Sequence, residues 1–164
     1  MNSLKCLMLC VFLFPSFTYA YTNQAVECLA ANIYHEARGE PSEGRHAVGY
    51  VTVNRMYDKR FPNTICDVVY QARYSKWWWT HHRKKVPVRN QCQFSWYCDG
   101  RPDDTHNQTA WRQALADARA VLDEAVPDPT NGSTHYHANY VSPYWCKNYQ
   151  LMAIINNHRF YKRA

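Results

Sequence analysis

Glu36 is the residue best placed for proton-transfer chemistry. Val26, Leu29, Ala30, Ile33 and Ala37 recur at spacings of three and four, which describes one apolar helix face. Glu36 falls three residues after Ile33 and seven after Leu29, so it projects beside that face rather than opposite it. A carboxyl group there loses hydration, which raises its pKa and keeps a proton available near neutral pH. That is the requirement for a general acid that protonates a glycosidic oxygen. A glutamate near a helix end is more often solvated, or paired with a cation; Arg38 and Arg55 are the candidate partners here. Other residues must therefore decide.

Gln93-Phe94-Ser95-Trp96 and the following Asp99-Gly100 supply hydrogen-bonding groups and aromatic faces suited to sugar rings. Gln93, Ser95 and Asp99 are read as substrate-binding, with Phe94 supporting them. The same block also reads as a loop pinned by a Cys92–Cys98 disulfide whose aromatics pack the core, and both readings can hold. His135 and Tyr136 are candidates for the opposite wall. Hydrolysis by a carboxylate pair would need a second acid, for which Glu40 and Asp99 are available. Glu40 follows Gly39, so it is expected to leave the helix and stabilise Arg38 or the start of the next helix. His135, His137 and His158 could be taken for metal ligands, but no H-E-x-x-H occurs; no metal and no cofactor is expected.

These residues need a scaffold. Thr22 or Asn23 can cap a first helix starting near Gln24, ended by Gly39 and Pro41. A second helix is predicted over Ser42–Tyr57, with Ala47, Val48, Val51 and Arg55 inward. Thr64-Ile65-Cys66-Asp67 resembles a capping box opening a short helix through Tyr70. Residues 71–91, with Trp77-Trp78-Trp79 among many basic residues, read as a long irregular surface loop. Three successive tryptophans cannot share one face, so at least one ring is expected at the surface, for sugar stacking or as an apolar anchor. An amphipathic helix is predicted over about 106–125, with Trp111, Leu115, Ala118, Leu122 and Ala125 on one side. The aromatic, β-branched C-terminal part suits short strands. The fold class expected is α+β, mostly helical, in a single domain with a small β element.

The first twenty residues read as an export signal. Lys5 precedes the apolar run Cys6–Phe14, and small residues end at Ala20. The run is too short to span a bilayer, which needs about 20 apolar residues. Residues 21–164 would then form the domain, exported to the periplasm or beyond, touching a membrane only during export or if the segment stays uncleaved. The chain carries a net charge of +6, which falls to +5 without Lys5. That suits an anionic polymer such as a cell wall. Five cysteines follow residue 20 (Cys28, Cys66, Cys92, Cys98, Cys146), enough for two bridges and one leftover thiol in an oxidising compartment.

The run Cys28-Leu29-Ala30 through Ile33-Tyr34-His35-Glu36-Ala37-Arg38-Gly39-Glu40-Pro41 resembles the opening motif of the SleB-type cell wall hydrolases, a family named for spore-cortex-lytic enzymes. The resemblance continues in order through Val53-Asn54-Arg55, Phe61–Cys66, Cys92–Gly100, Thr134–Ala138, Val141–Trp145 and His158–Tyr161. It implies a lysozyme-like or lytic-transglycosylase-like domain that cuts peptidoglycan glycan strands between N-acetylmuramic acid and N-acetylglucosamine. The family's catalytic glutamate, first in its E-A-R-G-E-P motif, matches Glu36. Members typically use one carboxyl as acid and then as base, so no second catalytic carboxylate is required. The expected partner is peptidoglycan, not nucleic acid, engaged by a monomer. A muramidase with a second carboxylate and a non-catalytic wall-binding module are the alternatives. A small stand-alone domain fits wall remodelling or an exported phage lysin better than germination.

Overall fold

The computed structural model describes residues 21–163; the export-signal reading of residues 1–20 lies outside them. Helix α1 (Asn23–Ala37) begins where the Thr22 hydroxyl accepts the Ala25 amide, relieving one of the unpaired donors of a first turn. Its apolar residues Leu29, Ala30 and Ile33 are fully buried. Helix α2 (Ser42–Tyr57) follows Pro41, and α3 (Ile65–Val69) opens on Thr64. The Thr64 hydroxyl accepts the Asp67 amide, the first half of the capping box anticipated from the sequence, and donates to the Asp67 carboxylate, which takes the hydroxyl rather than the Thr64 backbone amide. Helix α5 (Gln108–Leu122), capped by Asn107, completes the helical layer. Gly49 of α2 lets the three long helices meet: an added Cβ would lie 3.2 Å from Ile33 and 3.3 Å from Val121.

Two stretches depart from expectation. Residues 71–91 are not irregular: β1 (Ala72–Tyr74) and β2 (Pro87–Cys92) pair antiparallel around a short helix α4 (Lys76–His82). No residue of α4 is buried, so no apolar periodicity betrays it; the Ser75 cap on the Trp78 amide holds its start. Helix α5 is also shorter than 106–125. It stops at Leu122, Glu124 adopts a left-handed φ of 52°, and Ala125 is exposed rather than inward-facing.

The C-terminal part forms an antiparallel sheet in the order β3 (His135–Ala138), β5 (His158–Arg163), β4 (Tyr149–Ile155). Asn156, at a left-handed φ of 49°, makes the tight β4–β5 turn. Phe160 and Ile155 bury against Ala47 and Val51 of α2, which seats the sheet on the helices. Tyr136 pairs with Phe160 across β3 and β5, and this register sets Tyr136 toward α1.

Cys28–Cys66 joins α1 to α3 and Cys92–Cys98 closes the loop after β2, leaving Cys146 free. Loop-closure entropy assigns about 4 kcal/mol to the first bridge, which spans 38 positions, and about 2 kcal/mol to the second, which spans six. The paired change Cys28→Ser/Cys66→Ser is therefore expected to lose more stability than Cys92→Ser/Cys98→Ser. Urea unfolding of the two variants checks the order, and equal losses would contradict it. No helix among the described residues is long and apolar enough to cross a membrane.

Candidate active site

Glu36 occupies the last turn of α1, where the apolar face ends and the carboxyl emerges half-buried. Tyr136 of β3 donates its hydroxyl to Glu36 Oε2 at 2.9 Å. Burial raises the Glu36 pKa above the ordinary carboxylate range, while the Tyr136 hydrogen bond and the Arg55 charge pull against it. Burial and the neighbouring carboxylate push Tyr136 well above the usual tyrosine value, so it stays protonated and keeps donating.

Arg55, from α2, is only 4% exposed. Its Nε donates to the Thr134 carbonyl at 2.7 Å, and its guanidinium lies over the rings of Phe61 and Phe94 at 5.4 and 5.0 Å. Burial lowers its pKa to about 10, which leaves it charged at neutral pH. Neither Arg55 nor Arg38 forms an ion pair with Glu36 among the described residues; Arg38 packs on the Tyr34 ring instead. Arg55 thus acts on Glu36 as a nearby field rather than as a contact partner.

A cleft of about 290 Å³ opens over these groups, lined also by Cys92, Gln93, Phe94, Ser95, His135 and Trp145. Five of the six predicted substrate-binding residues, Gln93, Phe94, Ser95, His135 and Tyr136, therefore converge with Glu36. The disulfide-closed loop presents Gln93 and Ser95 to solvent and buries Phe94. The Gln93 amide donates to the Gln71 carbonyl at 2.8 Å, tying the loop to the body. Burial, with Arg55 and Arg60 nearby, brings His135 down to about 4, so its imidazole is neutral at neutral pH. A larger groove of about 830 Å³ lies elsewhere, between Tyr21, Tyr57 and Glu124. It holds none of these groups, and size alone does not make it the better site.

Asp99 is the exception. It lines a separate groove of about 520 Å³ with Tyr34, His35 and Arg38, and its Oδ1 accepts the Arg101 amide. Glu40 also lies outside the cleft lining. Its Oε1 accepts from Asn157 at 2.9 Å and its carbonyl from Arg45, so it ties the α1–α2 corner to the β4–β5 turn and, through Arg45, to the start of α2. No bond to Arg38 forms. His137 engages both ring nitrogens, with the Ala138 carbonyl and the Tyr161 hydroxyl.

Three cleft residues had no site role in the sequence reading: Arg55, Trp145 and Cys92, the last expected only as a disulfide partner. The available signal for Arg55 was a cation on the inward side of an apolar helix, which is costly unless it is used. Behind the cleft, Trp96 donates to Asn32, and Asn32 donates to Thr52, each at 3.1 Å. Trp96 also stacks on His35 with centroids 4.4 Å apart. This buried chain fixes the Cys92–Cys98 loop against α1 and α2.

A sequence profile of the family described as Cell Wall Hydrolase matches residues 39–161. The chain belongs to the cell wall hydrolase family. The matched segment begins three residues after Glu36, so the family match alone does not reach the glutamate. Among curated relatives, a spore cortex-lytic enzyme of Bacillus cereus is 30% identical over 117 residues, 71% of this chain and 35% of that protein. One of Bacillus subtilis is 39% identical over 51 residues, 31% of this chain and 17% of that protein. The matched part spans at most about a third of the length of the curated relatives. The catalytic domain of the Bacillus cereus SleB protein superposes with a TM-score of 0.61 at 25% identity, covering 88% of this chain and 94% of that one. The catalytic domain of the germination-specific lytic transglycosylase SleB from Bacillus anthracis gives 0.62 at 27% identity, covering 88% and 99%. The mostly helical α+β fold is thus that of a cell wall hydrolase catalytic domain.

In this cell wall hydrolase domain the Tyr136 hydroxyl can be tested alone. Tyr136→Phe removes a hydrogen bond to a carboxylate, an interaction of about 1.5–3 kcal/mol. The rate of a reaction in which Glu36 gives or takes the proton is expected to fall about 10- to 100-fold. Because that bond holds the Glu36 pKa down, its loss moves the alkaline limb of the rate profile to higher pH. An unchanged rate and an unchanged limb would show that the contact is idle.

Proposed function

We propose that this chain cleaves peptidoglycan glycan strands between N-acetylmuramic acid and N-acetylglucosamine as a lytic transglycosylase. Glu36 acts first as general acid and then as general base. One observation carries the reading: Glu36 is the sole carboxylate among the residues lining its cleft, half-buried with a hydroxyl donor on one oxygen.

Protonated Glu36 delivers its proton to the glycosidic oxygen as the bond from the muramic acid anomeric carbon breaks. The carboxylate so formed takes the proton of the muramic acid 6-hydroxyl, whose oxygen closes on the anomeric carbon as an anhydro ring. No water is consumed, and Glu36 ends protonated as it began. Arg55 stabilises the transient carboxylate electrostatically, and Tyr136 keeps its orientation. Gln93 and Ser95 bind the sugars, with Phe94 and neutral His135 shaping the walls. Asp99 belongs to the neighbouring groove, where a longer strand or its peptide stem would reach it. A hydrolytic mechanism would draw a second carboxylate from Glu40 or Asp99, and neither lines the cleft. The protein works outside the cytosol, as a monomer on the wall polymer; its two disulfides favour such a compartment.

The test is mass spectrometry of soluble products from sacculi treated with residues 21–164, wild type and Glu36→Gln. Anhydro-muropeptides from the wild type alone are expected. Reducing-end products would overturn transglycosylation in favour of hydrolysis. Binding without release would replace both with a wall-binding module.

A further inference from the structure

The excursion formed by β1, α4 and β2 (residues 72–92) carries side chains that neither the core nor the cleft uses. Helix α4 buries none of its residues, and Trp77, Trp78 and Trp79 are 55, 39 and 47% exposed. Adjacent indoles left in water mark a contact surface. Charge is concentrated in the same place. The excursion holds six of the nineteen basic residues (Arg73, Lys76, Arg83, Lys84, Lys85 and Arg89) and none of the thirteen acids. Elsewhere basic and acidic residues balance at thirteen each, so the whole net charge of +6 resides here.

Ring geometry selects among anionic partners. Trp77 stacks on His81 with centroids 4.8 Å apart and planes at 24°. Trp78 meets His82 at 4.8 Å, and the Arg83 guanidinium lies over Trp79 at 5.8 Å. Each indole thus has a side chain from one helical turn on against one face, and Trp77 and Trp78 stand at 90° to each other. Successive sugar rings of a glycan strand stack best on aromatic faces that run in line, which the perpendicular Trp77–Trp78 pair does not offer. A lipid headgroup layer imposes no ring orientation and accepts indoles edge-first, beside lysine and arginine.

We propose that the excursion docks the protein onto an anionic lipid bilayer. Exposed indoles of the Trp77–Trp79 cluster enter the headgroup layer on whichever side of α4 faces it, and Lys76, Arg83, Lys84 and Lys85 pair with lipid phosphates. Strand β2, six residues and about 20 Å long, runs back to Cys92 in the cleft wall. Docking therefore holds the cleft a short distance above the membrane. The proposal rests on no catalytic assignment and is testable in Glu36→Gln.

Residues 21–164, which contain the described core, are mixed with vesicles of phosphatidylcholine, or of equal parts phosphatidylcholine and phosphatidylglycerol, and sedimented. The mixed vesicles are expected to bind the protein, shift its tryptophan emission to the blue, and release it as salt rises. The variant Lys84→Ser/Lys85→Ser should lower partitioning about 30-fold, near 5-fold per basic residue at an anionic surface. Trp77→Ser/Trp78→Ser/Trp79→Ser should lower it at least about 10-fold. Both variants should keep the wild-type circular dichroism and sacculus cleavage. If the tryptophan variant misfolds, the lysine variant decides alone. Absent or equal binding to the two vesicles overturns the proposal. So does vesicle-independent binding to soluble glycan strands that the tryptophan variant loses, which would make the excursion a glycan site.

Discussion

Glu36→Gln is expected to lower anhydro-muropeptide release at least about 10³-fold, because in the proposed mechanism one side chain provides both proton transfers and each contributes about 10²–10⁴-fold. Glutamine keeps the volume and the Tyr136 contact but can neither give nor take the proton. Glu40→Gln, outside the cleft, should change the rate far less. A comparable loss in both variants would point to a carboxylate pair. The wild-type rate should decline as pH rises through the Glu36 pKa, since the donor form is then depleted. Burial raises that pKa, so the alkaline limb lies above the ordinary carboxylate range. Linkage gives a second signature. A carboxyl whose folded pKa exceeds its unfolded one contributes stability below the unfolded pKa and loses it as pH rises through the folded value. Glu36→Gln should therefore melt higher than the wild type at neutral pH, with the gap closing in acid. Calorimetry at the two pH values measures this, and a variant no more stable at neutral pH would contradict it.

Arg55→Ala should lower stability by about 3 kcal/mol or more. It empties the space between Phe61 and Phe94 and strands the buried Thr134 carbonyl. Cleavage should fall about 10²-fold, because the carboxylate formed after proton donation loses its compensating charge. Arg55 also holds the Glu36 pKa down, so its removal moves the alkaline limb of the rate profile upward. A purely structural Arg55 would lower the melting temperature and leave the limb in place. Arg55→Lys keeps a charge but not the rigid fork; it should restore the pH profile more fully than the stability. Rates taken well below each variant's melting temperature separate these contributions.

Legibility followed burial. Helix α1 was readable because it turns an apolar face to the core, and α2, which is buried on nearly every side from Ala47 to Val53, because Pro41 and Asp58 bound an unbroken helix-compatible run; caps such as Thr22 and Thr64 act within a few residues. Helix α4 was hidden for the opposite reason: with no side chain buried, its composition carries no period. The C-terminus of α5 was overextended because Ala125 continues the apolar spacing, while the left-handed turn at Glu124 ends the helix. Asp99 shows the limit of adjacency in sequence. It follows Ser95 by four residues, yet the 3₁₀ turn Ser95–Cys98 carries it into the next groove.

Residue order by itself determined the helix that carries Glu36, the cysteines able to bridge, the concentration of charge between Arg73 and Arg89, and membership of an ordered set of motifs. Each depends on near neighbours along the chain or on composition. Only tertiary structure decided which groups face Glu36. Tyr136 lies one hundred positions away, and it arrives because β3 pairs with β5 while Phe160 seats that sheet on α2. Tertiary structure also decided that Arg55 is buried without a carboxylate partner and that Glu40 is occupied by Asn157. The pKa of Glu36 follows from that assembly, since desolvation and local field are properties of the surroundings rather than of the residue.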